Sequence, residues 1–180
     1  MDVEGLFENV DACLVLHEKG DRVFTRYYNK EVFPDLKSQK LFEKKLLSLT
    51  TKTLESHDEC IEHFEDYCVV GKRAIDIHIY LIGSSCANEL MLFQVLTSIH
   101  DCLETITING QMLDRNQILI NFSKALIIFD EAISDNGIVL EGSKKKLLEK
   151  MVSERPVIQT EDEMINDLGN KTFKLFKQIF

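Results

Sequence analysis

The sequence has no run of apolar residues approaching the roughly 18 that a membrane-spanning helix requires. Its first residues, Met1-Asp2-Val3-Glu4-Gly5, are acidic, where a secretory signal would place basic residues before an apolar stretch. Neither a membrane span nor an export route is expected. C-x-x-C pairs are missing as well. The five cysteines, Cys13, Cys60, Cys68, Cys86 and Cys102, are odd in number and widely spaced, so reduced thiols in a cytosolic compartment are the simplest expectation. Without a route to the lumen, the glycosylation sequons at Asn121 and Asn170 read as chance matches. There is no excess of positive charge. The formal net charge is −9, which repels phosphate backbones and anionic headgroups and argues against unaided binding to nucleic acid or bilayer. No internal repeat and no low-complexity tract is evident.

What is present is an ordinary globular composition. The 180 residues are 44% hydrophobic and 28% charged, enough for one domain with its own core and a short tail. Val10 to Leu16 reads as a strand, with Val10, Ala12, Leu14 and Leu16 on one face and Cys13 and Val15 on the other. Glu18-Lys19-Gly20-Asp21 is a turn, and Val23 to Tyr28, rich in β-branched and aromatic residues, completes a hairpin. Pro34 opens a helix whose stripe is Leu36, Phe42, Leu46 and Leu49, with Lys37, Lys40, Glu43 and Lys44 on its solvated side. A polar stretch from Thr50 to Glu59 follows it.

Next come a short edge strand over Cys60 to Phe64, a strand over Tyr67 to Val70 and a tight turn at Gly71-Lys72. The clearest strand then alternates Ile75, Ile77, Ile79 and Leu81 with Asp76, His78 and Tyr80. Ser85 is the expected N-cap of a second helix, with Glu89 in its first turn, an apolar face of Leu92, Val95, Leu96, Ile99, Leu103 and Ile106, and a stop at Asn109-Gly110. A third helix is expected from about Met112 to Ile133, with a stripe of Ile118, Phe122, Ala125, Leu126, Phe129 and Ile133 widened by Ile120, Ile127 and Ile128. Asp135-Asn136-Gly137 is a turn, and Ser143 caps a short helix through Met151. Pro156 marks a linker before an amphipathic segment, Glu161 to Phe180, that docks on the domain or on a partner. Hairpins joined in this order imply a mainly antiparallel sheet covered by helices, an α+β layered domain.

Candidate chemistry is sparse. His57, Cys60 and His63 lie close in sequence, but no fourth zinc ligand is nearby. Gly83-Ser84-Ser85 lacks both G-x-S-x-G and the Gly-Lys-Ser/Thr of a phosphate loop, so a plain helix cap accounts for it. Lys144-Lys145-Lys146 reads as a solvated helix start. Asp76 and His78 share a strand face without a third partner. No enzyme activity, cofactor or metal is expected.

Several stretches resemble one family. Gly20-Asp21-Arg22-Val23-Phe24 through Tyr27-Tyr28, Gln39-Lys40 through Phe42-Glu43-Lys44, and Ile75-Asp76 through Gly83-Ser84-Ser85 and Asn88-Glu89-Leu90-Met91-Leu92 are similar to coatomer zeta subunits. So are Phe129-Asp130-Glu131 and Gly137 through Glu141. These are members of the adaptor small-chain, longin-like family. The resemblance, which covers roughly residues 10 to 142, implies a five-stranded antiparallel sheet with one helix on one face and two on the other; residues 1–142 are read as this domain and residues 143–180 as a C-terminal helical extension.

The same resemblance implies a non-catalytic subunit of the COPI vesicle coat, cytoplasmic and peripheral on Golgi membranes and vesicles. Such a subunit pairs with the coatomer gamma subunit, assembles with the other coatomer subunits, and is recruited with the complex by an Arf GTPase for Golgi-to-ER and intra-Golgi transport. The alternative is a sigma subunit of a clathrin adaptor that takes part in dileucine cargo binding. Sigma chains typically carry a Trp in the second strand, and this chain has none. For a subunit that works by presenting surface, Tyr27, Tyr28, Phe33 and Phe42 are candidate partner anchors, since large rings dominate interface hot spots; each could equally be core.

Overall fold

A computed structural model describes residues 9–107 and 112–153. Five strands, β1 (Val10–His17), β2 (Arg22–Tyr27), β3 (Glu59–Phe64), β4 (Tyr67–Arg73) and β5 (Ile77–Ser84), form one antiparallel sheet in the order β2-β1-β5-β4-β3. Helix α1 (Leu36–His57) covers one face. Helices α2 (Glu89–Thr105), α3 (Arg115–Ile120), α4 (Phe122–Ala132) and α5 (Lys144–Ser153) follow in sequence, and α2, α4 and α5 pack together on the other face. This is the expected longin-like arrangement.

Because both faces are covered, β1 and β5 are apolar on both sides, and the sheet divides two cores. Ala12, Leu14, Leu16, Tyr80 and Ile82 meet α1, whereas Cys13, Val15, Ile79 and Leu81 meet the α2 side. Val10 departs from the expected alternation. The β1–β5 register slips between Val10 and Ala12, and this turns Val10 into the core on the α2 side. The extra residue, Asp11, is put to use: its carbonyl accepts from the backbone amides of Tyr28 (2.9 Å) and Asn29 (3.2 Å), and its carboxylate accepts from the Asn29 side chain (2.8 Å). A bulge of this kind shifts every later side chain to the opposite face.

Helix α1 begins after Pro34. Asp35 is its N-cap, in a reciprocal capping box with Ser38. It runs well past Leu49 into the stretch read as polar linker, because the buried stripe Phe42-Leu46-Thr50-Leu54 continues at four-residue spacing. The Thr50 hydroxyl hid that continuation. Thr50 is fully buried, and its hydroxyl bonds the Leu46 carbonyl (2.9 Å) and the Tyr80 hydroxyl (2.7 Å). Leu36 and Leu49, expected in the stripe, are exposed.

Gly71-Lys72 is not a turn. Both residues lie inside β4, where Gly71 is paired between Cys60 and Tyr80. A β-carbon at Gly71 would lie 2.7 Å from Cys60 Sγ and 2.9 Å from the Tyr80 ring, so here glycine serves close packing rather than chain reversal.

Helix α2 is capped by Asn88, whose side chain accepts from the Met91 amide; Ser85 sits in the preceding turn, its amide bonded to the Asp66 carbonyl. The expected apolar face of α2 is buried throughout, while its expected stop at Asn109-Gly110 lies outside the described residues. The single third helix is two helices. Asp114 caps α3, and the chain breaks at Asn121, whose side chain folds back to donate to the Gln117 carbonyl (3.1 Å). Helix α5 buries Leu147 and Met151 against α2 and α4. The amphipathic segment read over residues 161–180 lies outside the described residues.

Candidate partner interface

The residues singled out for chemistry do not converge. Cys60 faces the core under α1, where burial pushes its thiol up to about 12, while His63 is exposed and 2.9 Å from Glu89. Ser84 and Ser85 are exposed, and neither is hydrogen-bonded to a histidine or carboxylate among the described residues. Asp76 accepts from the Arg115 amide (2.9 Å) and lies 3.7 Å from His17. His78 is buried and turned instead to the Tyr80 hydroxyl (3.2 Å), and burial holds its imidazole below the ordinary range. The Lys144, Lys145 and Lys146 ammoniums lie near Asp101, Glu149 and Glu141 respectively, the mixed-charge surface of a helix start.

Two of the four candidate anchors are spent inside the chain. Phe33 and Phe42 are 3% and 6% exposed, with ring centroids 5.0 Å apart, and both also pack against Tyr67. They fasten α1 and the segment before it to the sheet, so neither ring is presented to a partner. Tyr27 and Tyr28 are half-buried at the end of the edge strand β2. Tyr27 leans on Phe33, and its hydroxyl donates to Glu43 (2.6 Å). Tyr28 packs against the core on the other face, and its hydroxyl has no hydrogen-bond partner among the described residues. Burial raises both phenols above their usual range.

Glu43 was read as solvated, yet it is 4% exposed. Its carboxylate takes Arg22 from β2 through Nη2 (2.8 Å) and Nε (3.0 Å), in addition to the Tyr27 hydroxyl. A buried carboxylate needs such partners to offset its desolvation. The legible signal was its position between Phe42 and Leu46 on the buried side of α1. At the far end of β2, Arg26 is ion-paired with Asp130 of α4 and lies over the Phe24 ring, which stacks on Phe129. The edge strand is thus clamped from both faces.

Sequence reasoning missed the exposed apolar surface at the junction of α3 and α4. Leu119, Ile120 and Phe122 are 48%, 63% and 38% exposed, the longest such run in sequence among the described residues. They flank the buried Asn121 at the break, whereas a continuous helix was expected to bury Phe122 and Ile120. Exposed apolar side chains clustered in this way are the usual mark of a protein contact.

Comparison with known proteins gives one consistent picture. Residues 9–156 match the family model described as clathrin adaptor complex small chain. The chain is 36% identical over 145 residues to coatomer subunit zeta-1 of Homo sapiens, covering 79% of this chain and 76% of that protein. It is 35% identical over 168 residues to coatomer subunit zeta of Saccharomyces cerevisiae (88% and 84% covered), and 34% identical over 148 residues to a probable coatomer subunit zeta-A of Dictyostelium discoideum (82% of each). In structure it overlays on a chain from a homology model of the full-length AP-3 complex in a stretched open conformation, with a TM-score of 0.57, 14% identity, and 92% of this chain and 98% of that one covered. At that identity the likeness is one of fold.

Proposed function

The chain belongs to the clathrin adaptor complex small-chain family, and from that membership we propose that it works as a zeta-type small subunit of a coatomer coat, a non-catalytic scaffold held by a larger neighbour. The observation that carries this reading is identity near one third, sustained over most of the chain, to coatomer zeta subunits from an animal, a fungus and an amoeba. The body is a sheet clamped on both faces, with apolar side chains exposed on its surface. Such a body suits a subunit whose work is done by contact.

In this reading the large partner is the coatomer gamma subunit. The rings Tyr27 and Tyr28 and the α3–α4 junction are the candidate contacts, with residues 1–142 as the longin-like body and 143–180 as its extension. Stable subunit interfaces of this kind bury about 2,000 Å² or more with an apolar centre. The assembled coat, recruited by an Arf GTPase, would bring the chain to Golgi membranes for Golgi-to-ER and intra-Golgi transport. Contact with the bilayer would be indirect, since no helix among the described residues is long and apolar enough to cross a membrane and the net charge is −9. A sigma-type role with dileucine peptides has less behind it, because the relatives near one-third identity are zeta chains.

The test is made in cells. A tagged chain should concentrate on Golgi membranes, bring down the gamma subunit, and disperse when Arf nucleotide exchange is blocked. A distribution indifferent to Arf, with no gamma subunit recovered, would overturn the proposal.

A further inference from the structure

The hairpin turn between β1 and β2 and the outer side of α1 enclose an open hollow of about 620 Å³. Gly20, at φ +93, makes the turn, and Leu47 of α1 supplies the apolar floor of the lining. Lys19, Arg22, Lys40 and Lys44 surround this floor. Arg22 is committed to Glu43, and the Asp21 carboxylate at the rim lies 3.9 Å from Arg115. Lys19, Lys40 and Lys44 are exposed and have no ion-pair partner among the described residues. Glu18 is the remaining carboxylate of the lining. In a chain of net charge −9, this is a local excess of cation concentrated around a concavity.

The arrangement is unfavourable for the isolated chain. Lys40 and Lys44 stand one helical turn apart, and like charges at that spacing repel. A ligand that supplied carboxylates would relieve the repulsion and bring complementary charge to the site. We propose that this hollow receives an acidic peptide segment of a partner protein, its carboxylates pairing with Lys19, Lys40 and Lys44 and an apolar side chain resting on Leu47. An anionic membrane fits less well. The cations line a hollow that Glu18 and Asp21 share, and the chain as a whole repels a negative surface. The inference does not depend on which large subunit the chain pairs with.

The experiment measures fluorescence anisotropy of a labelled octapeptide, seven glutamates around one leucine, titrated with the full chain at low and at moderate salt. Saturable binding is expected, weakened by salt and weakened roughly tenfold or more by the paired charge reversal Lys40→Glu/Lys44→Glu. Lys19→Glu, in the turn and away from the helix, should weaken it in the same direction. Circular dichroism checks that the variants are folded, and Lys40→Gln/Lys44→Gln replaces the reversal if they are not. Absence of saturable binding, or binding unchanged in the lysine variants, overturns the proposal. So does lysine-dependent sedimentation with phosphatidylserine vesicles in place of peptide binding. Recovery of the large subunit by the same variants is scored separately and bears on the function proposed above.

Discussion

Replacing Gly71 by alanine tests the sheet more sharply than any other single change. Gly71 is not at positive φ, so in an open turn a methyl group there would meet nothing, and the loss of backbone freedom in the unfolded chain would stabilise the protein by about 0.4–1 kcal/mol. In the structure Gly71 lies inside β4, and the added β-carbon would meet Cys60 Sγ at 2.7 Å and two atoms of the Tyr80 ring at 2.9 Å. Neither neighbour has room to withdraw. Cys60 is buried under α1, and Tyr80 is fully buried with its hydroxyl tied to Thr50.

Overpacking of this kind costs about 1–3 kcal/mol. Set against the unfolded-state gain, the net expected for Gly71→Ala is a loss of about 1–2 kcal/mol, or roughly 3–6 °C in Tm for a domain of this size. Urea denaturation followed by circular dichroism measures it. Cys60→Ala in the same chain should recover part of the loss, because it removes the nearer of the two obstacles, giving a coupling of roughly 0.5–1 kcal/mol. An alanine variant as stable as the parent, or more so, would refute the placement of β4.

Three further outcomes follow from the structure. Asn88→Ala should cost about 1 kcal/mol by removing the cap of α2, whereas Ser85→Ala should change stability little, as chemical denaturation of the two variants will show. A thiol reagent should modify one cysteine rapidly in the native chain, the exposed Cys86. Cys13, Cys60, Cys68 and Cys102 should react only on unfolding, since all four are buried and burial pushes the Cys13 and Cys60 thiols up to about 12 and Cys102 up to about 11. Burial depresses the imidazoles of His78 and His100 below 6.5, so at lower pH the unfolded chain binds more protons than the folded one. Stability should therefore fall as pH drops below about 6.5, with a shallower slope in His78→Gln, measured as Tm between pH 7.5 and 5.5.

The central strands β1 and β5 were legible because a sheet covered on both faces needs apolar residues on both of their sides, and the alternation survives in Ile77-Ile79-Leu81. What escaped was local substitution of one physical role for another. Thr50 fills a core position with a hydroxyl that finds its partner thirty residues away in Tyr80, so the end of α1 looked like loop. Gly71 looked like a turn because close packing and chain reversal both select glycine. Asn88 and Ser85 are both good caps, and only the geometry chooses between them. At the α3–α4 break one Asn side chain returns to the Gln117 carbonyl, and no periodicity announces it.

For the candidate interface, sequence composition pointed to aromatic rings. Phe33 and Phe42 proved to be consumed by the chain's own core, while the exposed apolar run at Leu119, Ile120 and Phe122 appears only once the helix is broken.

A zeta-type small subunit should be held directly by the large subunit of its coat. Purified full-length chain should be mixed at micromolar concentration with the coatomer gamma subunit and, in parallel, with the large subunit of a clathrin adaptor, and each mixture resolved by gel filtration with native mass measurement. A one-to-one complex is expected with the gamma subunit and none with the clathrin-adaptor chain. Elution of the free chain from both mixtures, or pairing with the clathrin-adaptor subunit instead, would contradict it.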